Sequence, residues 1–298
     1  MANETTVSTL AGHFHTERID ALTAPYAIDP FCSIGHVRKA EVPQGTKVVA
    51  FARVTKDTAL SGTITEATGL SNVAYDTAKV SATVAEVGIL RQSTKLSERQ
   101  SLYGTGGLLM EFLDDGVKMC LEKAETDVNA EWANASTSVG TSAAPFTLAD
   151  LGSALAQHTI NKSQGALYGF MHATAGKNLR QEVLGSGAAW ITTGAGNSVL
   201  RAPNADGFMG ELMGVQLYTN NLGVTASADK VSCFLVSASL PGNDERYCPT
   251  GMAVAWVPEA TPIFYNPVLS GGMQVAITMA YGLVEVLDYG YVKAPTIA

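Results

Sequence analysis

Residues 108–135, LLMEFLDDGVKMCLEKAETDVNAEWANA, decide the fold of this chain. Apolar or small side chains recur in this stretch at every third or fourth position, at Leu109, Leu113, Val117, Cys120, Ala124, Val128 and Trp132. That spacing places them on one stripe of an α-helix, while most charged residues fall on the other faces. At 1.5 Å per residue the helix would be roughly 40 Å long, well above the usual length in a compact domain. The sequence therefore predicts a buried spine helix.

The start of the spine helix is left open by the sequence. Ser97 and Gln100 fit a capping box, but residues 103–107 (YGTGG) would interrupt a helix begun there. The helix therefore begins either near Ser97, with a break, or near Thr105. The Gly-Thr-Gly-Gly run also lacks the Gly-Lys-Ser/Thr of a phosphate-binding Walker loop, so a hinge or a loop that leads into the helix is the favoured interpretation.

A long hairpin is predicted before the spine helix. Residues 47–55 (KVVAFARVT) and 79–90 (KVSATVAEVGIL) are β-branched and largely alternating, which predicts two strands. Residues 56–78 between them are polar and form the tip. A hairpin alone is marginally stable in water, so it needs a surface in its own chain or on a neighbour. Residues 1–44 show no sustained period and are expected to form an extended arm.

An α/β block and a strand-rich return follow the spine helix. Residues 145–156 predict a helix capped by Thr147, and residues 176–184 predict a second helix. Strands are predicted at 166–172, 214–219, 230–237, 251–256, 272–280 and 282–291, whereas residues 185–210 are Gly-rich and irregular. The fold class is therefore α+β.

The composition narrows the possible functions. The chain has 298 residues, of which 46% are hydrophobic and 15% are charged, and its net charge is −8. Nucleic-acid recognition in a sequence-specific manner needs a basic face, and no run of Lys or Arg is present. The low charge indicates either a surface that largely meets other protein or simply an Ala- and Gly-rich chain. No secretory signal and no 18-residue apolar run is visible, so we expect no membrane contact.

The sequence gives little support for a metal site or for disulfide bonds. The four cysteines lie far apart and are expected to be buried thiols in a reducing cytoplasm; they are Cys32, Cys120, Cys233 and Cys248. His13 and His15 would share one side of a strand, but no third ligand lies nearby, so we expect no metal site. His36, His158 and His172 are isolated and are interpreted as structural residues.

The sequence contains no recognisable active site. Asp114 and Asp115 are adjacent, so on a helix they point about 100° apart and cannot act as a carboxylate dyad. There is no G-x-S-x-G motif and no Ser, His and Asp in a familiar order. We therefore expect no catalytic residue, no cofactor and no enzyme activity.

The order of these pieces resembles the major capsid protein of tailed phages, the Hong Kong 97-like capsid fold. The likeness is carried by residues 77–100 (TAKVSATVAEVGILRQSTKLSERQ) leading into the spine helix, by the helix–strand–helix run at 146–184, and by residues 210–221 (GELMGVQLYTNN). The resemblance implies an N-terminal arm (1–44), an extended β-hairpin loop (45–79), a peripheral domain with the long spine helix (80–144 and 266–298), and an α/β axial domain (145–265).

The resemblance also implies which residues serve assembly. They are the stripe of the spine helix named above, together with Lys56, Glu66 and Lys79 of the extended loop. Some relatives crosslink Lys to Asn, but no motif ties Lys47, Lys56 or Lys79 to such a partner, so no crosslink is assigned. Nothing before Lys47 resembles a scaffolding segment, so scaffolding would come from a separate protein or be absent.

The function implied by the resemblance is self-assembly through pentamers and hexamers into an icosahedral shell enclosing double-stranded DNA. Its expected partners are copies of itself, a separate scaffolding protein, a portal and decoration proteins, with DNA contacted non-specifically. Its expected place is the virion capsid, assembled in the host bacterial cytoplasm. One alternative is the shell of an encapsulin-like nanocompartment, and a second is a cytosolic enzyme with an unrecognised site.

Overall fold

A computed structural model describes most of the chain after the arm. The described residues are 33–54, 77–93, 104–142, 144–161, 165–185, 207–220, 225–226, 229–239, 246–247, 249–263, 274–287 and 290–297. The helices within them are α1 (Gly104–Ala133), α2 (Leu148–Ile160) and α3 (Ala173–Gly185), and a single 3₁₀ turn spans Ile34–His36. The strands are β1 (Arg38–Glu41), β2 (Val48–Val54), β3 (Thr77–Thr83), β4 (Ala85–Gln92), β5 (Ala166–His172), β6 (Phe208–Leu212), β7 (Val215–Asn220), β8 (Thr225–Ala226), β9 (Asp229–Ser239), β10 (Arg246–Tyr247), β11 (Thr250–Ile263), β12 (Gln274–Glu285) and β13 (Tyr291–Ile297).

The spine helix α1 runs for 30 residues, from Gly104 to Ala133. The prediction that residues 103–107 interrupt a helix or lead into it as a loop is wrong for 104–107, which form the first turn of α1. Each helical glycine costs only about 1 kcal/mol, which burial of the later turns outweighs. Residues 94–103, and with them the alternative start at Ser97, lie outside the described residues.

The stripe of α1 packs into the main core. Cys120, Ala124, Val128 and Trp132 are buried there, and Leu113 and Val117 pack half-buried at its edge. The other side of this core is formed by the aliphatic and aromatic side chains of two sheets, including Val275, Ile277, Phe170 and Leu235. Leu109 lies within α1, in the turns where only the backbone is described.

Gly116 interrupts the stripe for a packing reason. A Cβ atom at this position would lie 2.5 Å from Cδ1 of Ile277 on β12. The helix therefore approaches the sheet too closely for any side chain, which accounts for a glycine in the middle of a helix.

The first sheet carries the spine helix on one face. Its strand order is β1-β11-β12-β4, with β1 parallel to β11 and the other neighbours antiparallel. The two strands predicted at 272–280 and 282–291 are in fact β12, which runs unbroken through Tyr281 and Gly282, followed by the separate strand β13. Continuous pairing of β12 with β11 and β4 carries it across that glycine.

The second sheet is the scaffold for α2 and α3. The strand path is β10-β9-β5-β7-β6, and β8 and β13 also pair with β9. Helix α2 begins as predicted at the cap Thr147, whose hydroxyl accepts from the backbone N–H of Asp150 while the Asp150 carboxylate accepts from the N–H of Thr147. The face of this sheet opposite the main core packs on both helices through Leu151, Leu179 and Phe234 among others.

The hairpin predicted from residues 47–90 is shorter in the structure. Strand β2 pairs with β3, but β4 leaves the hairpin and pairs with β12 instead. Its described part also rests on its own chain, because Phe51 and Ala82 are buried against Ala253, Val286 and Leu287. The tip, residues 55–76, lies outside the described residues.

The connection from β3 to β4 lies against Gly282 of β12. A Cβ atom at Gly282 of β12 would overlap the carbonyl group of Thr83 and come within 3.1 Å of the backbone nitrogen of Val84. Main chain therefore lies directly on main chain at this point. The root of the hairpin has a fixed position on the first sheet.

Each of the two sheets joins strands from different predicted segments. Strands β1 and β11, placed by sequence in the arm and the axial domain, belong to the sheet that carries the spine helix. Strand β13, placed in the peripheral domain, pairs with β9 in the second sheet. The reason is long-range pairing between strands, which local sequence patterns do not encode.

Candidate assembly surfaces

A buried carboxylate on the spine helix holds the chain where the described part begins. Glu125 is fully buried, and its two oxygens accept hydrogen bonds from the backbone N–H groups of Ser33 at 2.6 Å and Ile34 at 2.9 Å. Asn129, one turn further on, accepts a bond from the Ser33 hydroxyl at 3.1 Å and donates to the main-chain oxygen of Glu125 at 2.9 Å. We call this set the arm clamp: Ser33, Ile34, Glu125 and Asn129.

The segment that follows the clamp ties the helix to both sheets. The ring of His36 is buried against three aromatic rings of the second sheet, with centroid distances of 4.3 Å to Tyr168, 5.1 Å to Phe170 and 5.3 Å to Tyr218. Two residues later β1 begins and pairs with β11 in the first sheet. This short strap, Ser33–Glu41, is therefore held against both sheets and the spine helix.

Sequence reasoning missed the arm clamp. Glu125 was grouped with the charged residues that fall largely outside the stripe, yet it is as buried as its neighbour Ala124. The available signal was the pair Glu125 and Asn129, spaced four apart and each directly following a stripe residue. Two polar residues in that position can face a backbone segment laid along the helix.

A second polar link joins the end of the spine helix to two strands. The indole N–H of Trp132 donates to the Thr250 hydroxyl of β11 at 2.7 Å, and Thr250 is hydrogen-bonded to the Tyr291 hydroxyl of β13. Burial raises the pKa of Tyr291 well above its ordinary value. The stripe residue Trp132 therefore connects both sheets, as well as filling the core.

The predicted loop residues divide between described and undescribed parts. Lys79 lies exposed on β3, opposite Ala52 of β2. Lys56 and Glu66 lie outside the described residues, as do His13 and His15. Of this set the structure therefore describes Lys79 alone.

The remaining histidines and cysteines have structural surroundings. His158 is buried and its Nε2 lies 3.2 Å from the carbonyl oxygen of Phe234, and burial lowers its pKa. The Nδ1 atom of His172 accepts from the backbone N–H of Thr174 at 3.2 Å, at the start of α3. Cys120 and Cys233 are buried free thiols, and burial raises the pKa of both, whereas Cys32 and Cys248 lie outside the described residues.

Within the described residues no three His, Cys, Asp or Glu side chains are grouped so as to hold a metal ion. Among the helices described, none is long and apolar enough to cross a membrane.

The outer side of the spine helix carries charged pairs. Asp114 pairs with Lys118 and Lys123 with Asp127, each four residues apart on the helix. Asp115 pairs with Arg91 of β4, so it links the helix to the edge of the first sheet. Such partly exposed pairs contribute little to stability, about 0–1 kcal/mol each.

A cleft lies between α3 and the edge of the second sheet. Its volume is about 390 Å³; Lys177, Arg180 and Leu184 line one wall, and Met209 and Thr219 line the other side. Lys177 and Arg180 are exposed and form no ion pair with any residue of the described ranges, and Leu184 is 62% exposed. The cleft is therefore apolar at one end and positively charged along its wall.

The turn between β6 and β7 carries an exposed hydrophobic side chain. Met213 and Gly214 have φ angles of 54° and 80°, which make a tight hairpin turn between the paired residues Leu212 and Val215. The left-handed conformation costs a residue such as Met roughly 1–2 kcal/mol, and Asn or Gly would serve the turn better. The Met213 side chain is nevertheless 55% exposed, and Glu211 beside it is exposed too.

The comparisons with known proteins bear on the fold. No protein-family model and no curated protein matches the chain. Solved structures do match over most of its length. A structure of Mycobacterium phage Bobi is 12% identical, covers 98% of each chain and has a TM-score of 0.61. The capsid of the cyanophage P-SCSP1u is 13% identical, covers 87% of this chain and 86% of the other, and has a TM-score of 0.62.

The chain has the fold of tailed-phage major capsid proteins. The same fold is found in the SrpI encapsulin complex of Synechococcus elongatus PCC 7942, which is 13% identical, covers 93% of each chain and has a TM-score of 0.59. The resemblance inferred from the order of sequence elements is thereby confirmed as a capsid-like fold. Phage and encapsulin shells both carry it, so the fold alone does not separate them.

Proposed function

We propose that this chain is the major capsid protein of a tailed phage, which self-assembles through pentamers and hexamers into an icosahedral shell around double-stranded DNA. The observation that carries the proposal is the match to phage capsid structures along nearly the whole chain, with 98% of both chains covered in one case. A match of that extent is not limited to a shared core motif.

Two fixed points in the described residues support a role in assembly. Residues 1–32 precede the arm clamp in sequence, and residues 55–76 connect the two strands of a hairpin whose described part is packed on the first sheet. Segments of this kind add contact area when they overlap neighbours, and many modest contacts together hold a shell. We therefore propose that 1–44 acts as the N-terminal arm and 45–79 as the extended loop, with Lys56, Glu66 and Lys79 near the contact with a neighbour.

A structural role without catalysis follows from the same proposal. The stripe of α1, from Leu109 to Trp132, would serve as the rigid spine of the peripheral domain, with the second sheet, α2 and α3 forming the axial domain. The net charge of −8 suits a container that must not bind its packaged DNA tightly. The proposed partners are further copies, a separate scaffolding protein, a portal and decoration proteins.

The second candidate is the shell of an encapsulin-like compartment. It is favoured by the match to the SrpI encapsulin complex at 93% coverage of both chains. Under this proposal the shell would enclose a protein cargo in place of DNA.

One experiment separates these proposals. The chain is expressed alone and examined by sedimentation and electron microscopy, then co-expressed with the neighbouring genes of its source. Megadalton particles, pentamers or hexamers in either condition support a shell protein, whereas a monomer or dimer both alone and in co-expression would refute both shell proposals and favour an enzyme. Nuclease-protected DNA in purified particles supports the phage capsid, and a stoichiometric protein cargo without DNA supports the compartment.

A further test concerns the extended loop. Residues 58–75 are replaced by a short Gly-Ser turn, which leaves β2 and β3 intact. Loop shortening changes closure entropy by only about 0.6 kcal/mol per halving, so the subunit should stay folded by circular dichroism. Particles should fall apart to capsomers or subunits; normal particles would show that the loop does not hold the shell together.

A further inference from the structure

The cleft beside α3 and the turn between β6 and β7 are complementary in chemistry. The cleft offers Leu184 as an exposed apolar surface and Arg180 as a cation without an ion-pair partner in the described residues. The turn offers the exposed Met213 and the exposed carboxylate of Glu211. The cation of the cleft matches the carboxylate of the turn, and each surface has an exposed apolar side chain for the other to contact.

The spacing within each pair also agrees. Arg180 and Leu184 are one helical turn apart, which corresponds to about 6 Å along the axis. Glu211 and Met213 are two residues apart at the end of a strand, which corresponds to roughly 6–7 Å. If Met213 packs on Leu184, Glu211 therefore falls within reach of Arg180.

The turn does not fill the cleft of its own chain. Thr219, on the inner side of the cleft, lies four residues along β7 from Val215, where the turn ends, a distance of roughly 13 Å along the strand. The backbone of the turn is also fixed by the pairing of Leu212 with Val215, so it cannot fold back. A second molecule must supply the turn.

We propose that the β6–β7 turn of one copy docks in the α3 cleft of the next copy, with Met213 on Leu184 and Glu211 on Arg180. Because the two surfaces differ, the contact is head-to-tail, and repeated head-to-tail contacts form a ring when the rotation between copies closes. The inference rests on the proposed shell function and identifies the contact that builds its ring-shaped capsomers. The left-handed backbone conformation of Met213 destabilises the turn, and the proposed docking contact accounts for a Met at this position.

The test is a charge exchange. Arg180→Glu alone and Glu211→Arg alone should each lower the yield of capsomers at least tenfold, while circular dichroism stays unchanged. The double variant Arg180→Glu with Glu211→Arg should recover assembly, because the pair is restored with opposite orientation. The matched control is Lys39→Glu with Glu211→Arg, which has the same net charge and should stay defective, since Lys39 lies exposed on β1 of the other sheet.

Cysteine exchange tests the apolar contact independently. Copies carrying only Leu184→Cys are mixed with copies carrying only Met213→Cys and allowed to assemble under mild oxidation. A disulfide-linked dimer that requires both variants supports the contact, because neither copy can form that bond within itself. Particles that form normally with no such dimer, or charge reversals that leave the yield unchanged, would overturn this contact while the shell proposal stands. A wild-type chain that never assembles would overturn both.

Discussion

Replacing Glu125 with glutamine tests the arm clamp. The two carboxylate oxygens accept from two backbone N–H groups, the buried one of Ser33 and the partly buried one of Ile34. Glutamine keeps the shape but has one acceptor oxygen, and its amide N–H₂ would face the other backbone donor. One buried N–H left without a partner costs about 1–3 kcal/mol, and loss of the charge on the second bond adds about 1 kcal/mol. We expect a loss of roughly 2–4 kcal/mol.

The loss should be concentrated at the strap that carries Ser33 and β1. Trypsin cleavage after Lys39 requires β1 to detach from β11, so the cleavage rate reports how often the strap opens. A loss of 2 kcal/mol corresponds to about a 30-fold rise in the open population, since each 1.4 kcal/mol is a factor of ten. The assay compares the rate of appearance of this fragment with the midpoint of urea unfolding, both on unassembled subunits.

Glu122→Gln is the matched control for this experiment. Glu122 lies one turn before the clamp on the same helix, half-buried, and its side chain makes no hydrogen bond within the described residues. Its replacement should change stability by less than about 0.5 kcal/mol and leave trypsin cleavage unchanged. Equal cleavage rates for the two variants would refute the reasoning, because the buried carboxylate would then not hold the strap.

Two further predictions concern the hairpin root and acid stability. Gly282→Ala should destabilise the subunit by about 2 kcal/mol or more in urea unfolding, because the added methyl overlaps the main chain of Thr83; Gly152→Ala, where a Cβ meets open space, should be neutral or stabilising. His158 has its pKa lowered by burial, so the folded state resists the proton that the unfolded state accepts. The stability that the neutral, buried His158 contributes is therefore fully present above about pH 6.5. It is lost as the pH falls below that value, by at most about 1.4 kcal/mol per pH unit. His158→Gln should flatten that slope in unfolding curves, and an unchanged slope would contradict the assignment.

Elements with a strong local signal were predictable from the sequence. The period of α1 and the cap at Thr147 depend on residues within one or two turns of each other, and strand β5 was predicted with its observed ends. Such features need no knowledge of the rest of the chain, because spacing and capping are local properties. The order of these elements was enough to suggest the capsid-like fold.

Features that depend on distant residues were not predictable. The continuity of β12 through Gly282 depends on two distant parts of the chain. Ala253, about thirty residues away in sequence, pairs with Gly282, and the β3–β4 connection, about two hundred residues away, lies against it. The departure of β4 from the hairpin likewise depends on β12 as a better partner. The candidate contact surfaces follow the same rule, since the α3 cleft exists only where β6 and β7 meet that helix.

Under the proposed shell function, residues 1–32 and 55–76 would be the arm and the tip of the extended loop, and the described residues next to each are fixed within their own chain. Ser33 is held by a buried carboxylate on the spine helix, while Phe51 packs against Gly251 of β11 and Thr83 lies against Gly282. Both of these points are therefore ordered before any neighbour is present. Ordering a segment costs about 1–2 kcal/mol per residue, so a root ordered during folding removes that part of the cost from association. Under the proposed shell function, contacts that are individually weak can then suffice between copies, and substitutions at Glu125 and Gly282 should impair assembly as well as stability.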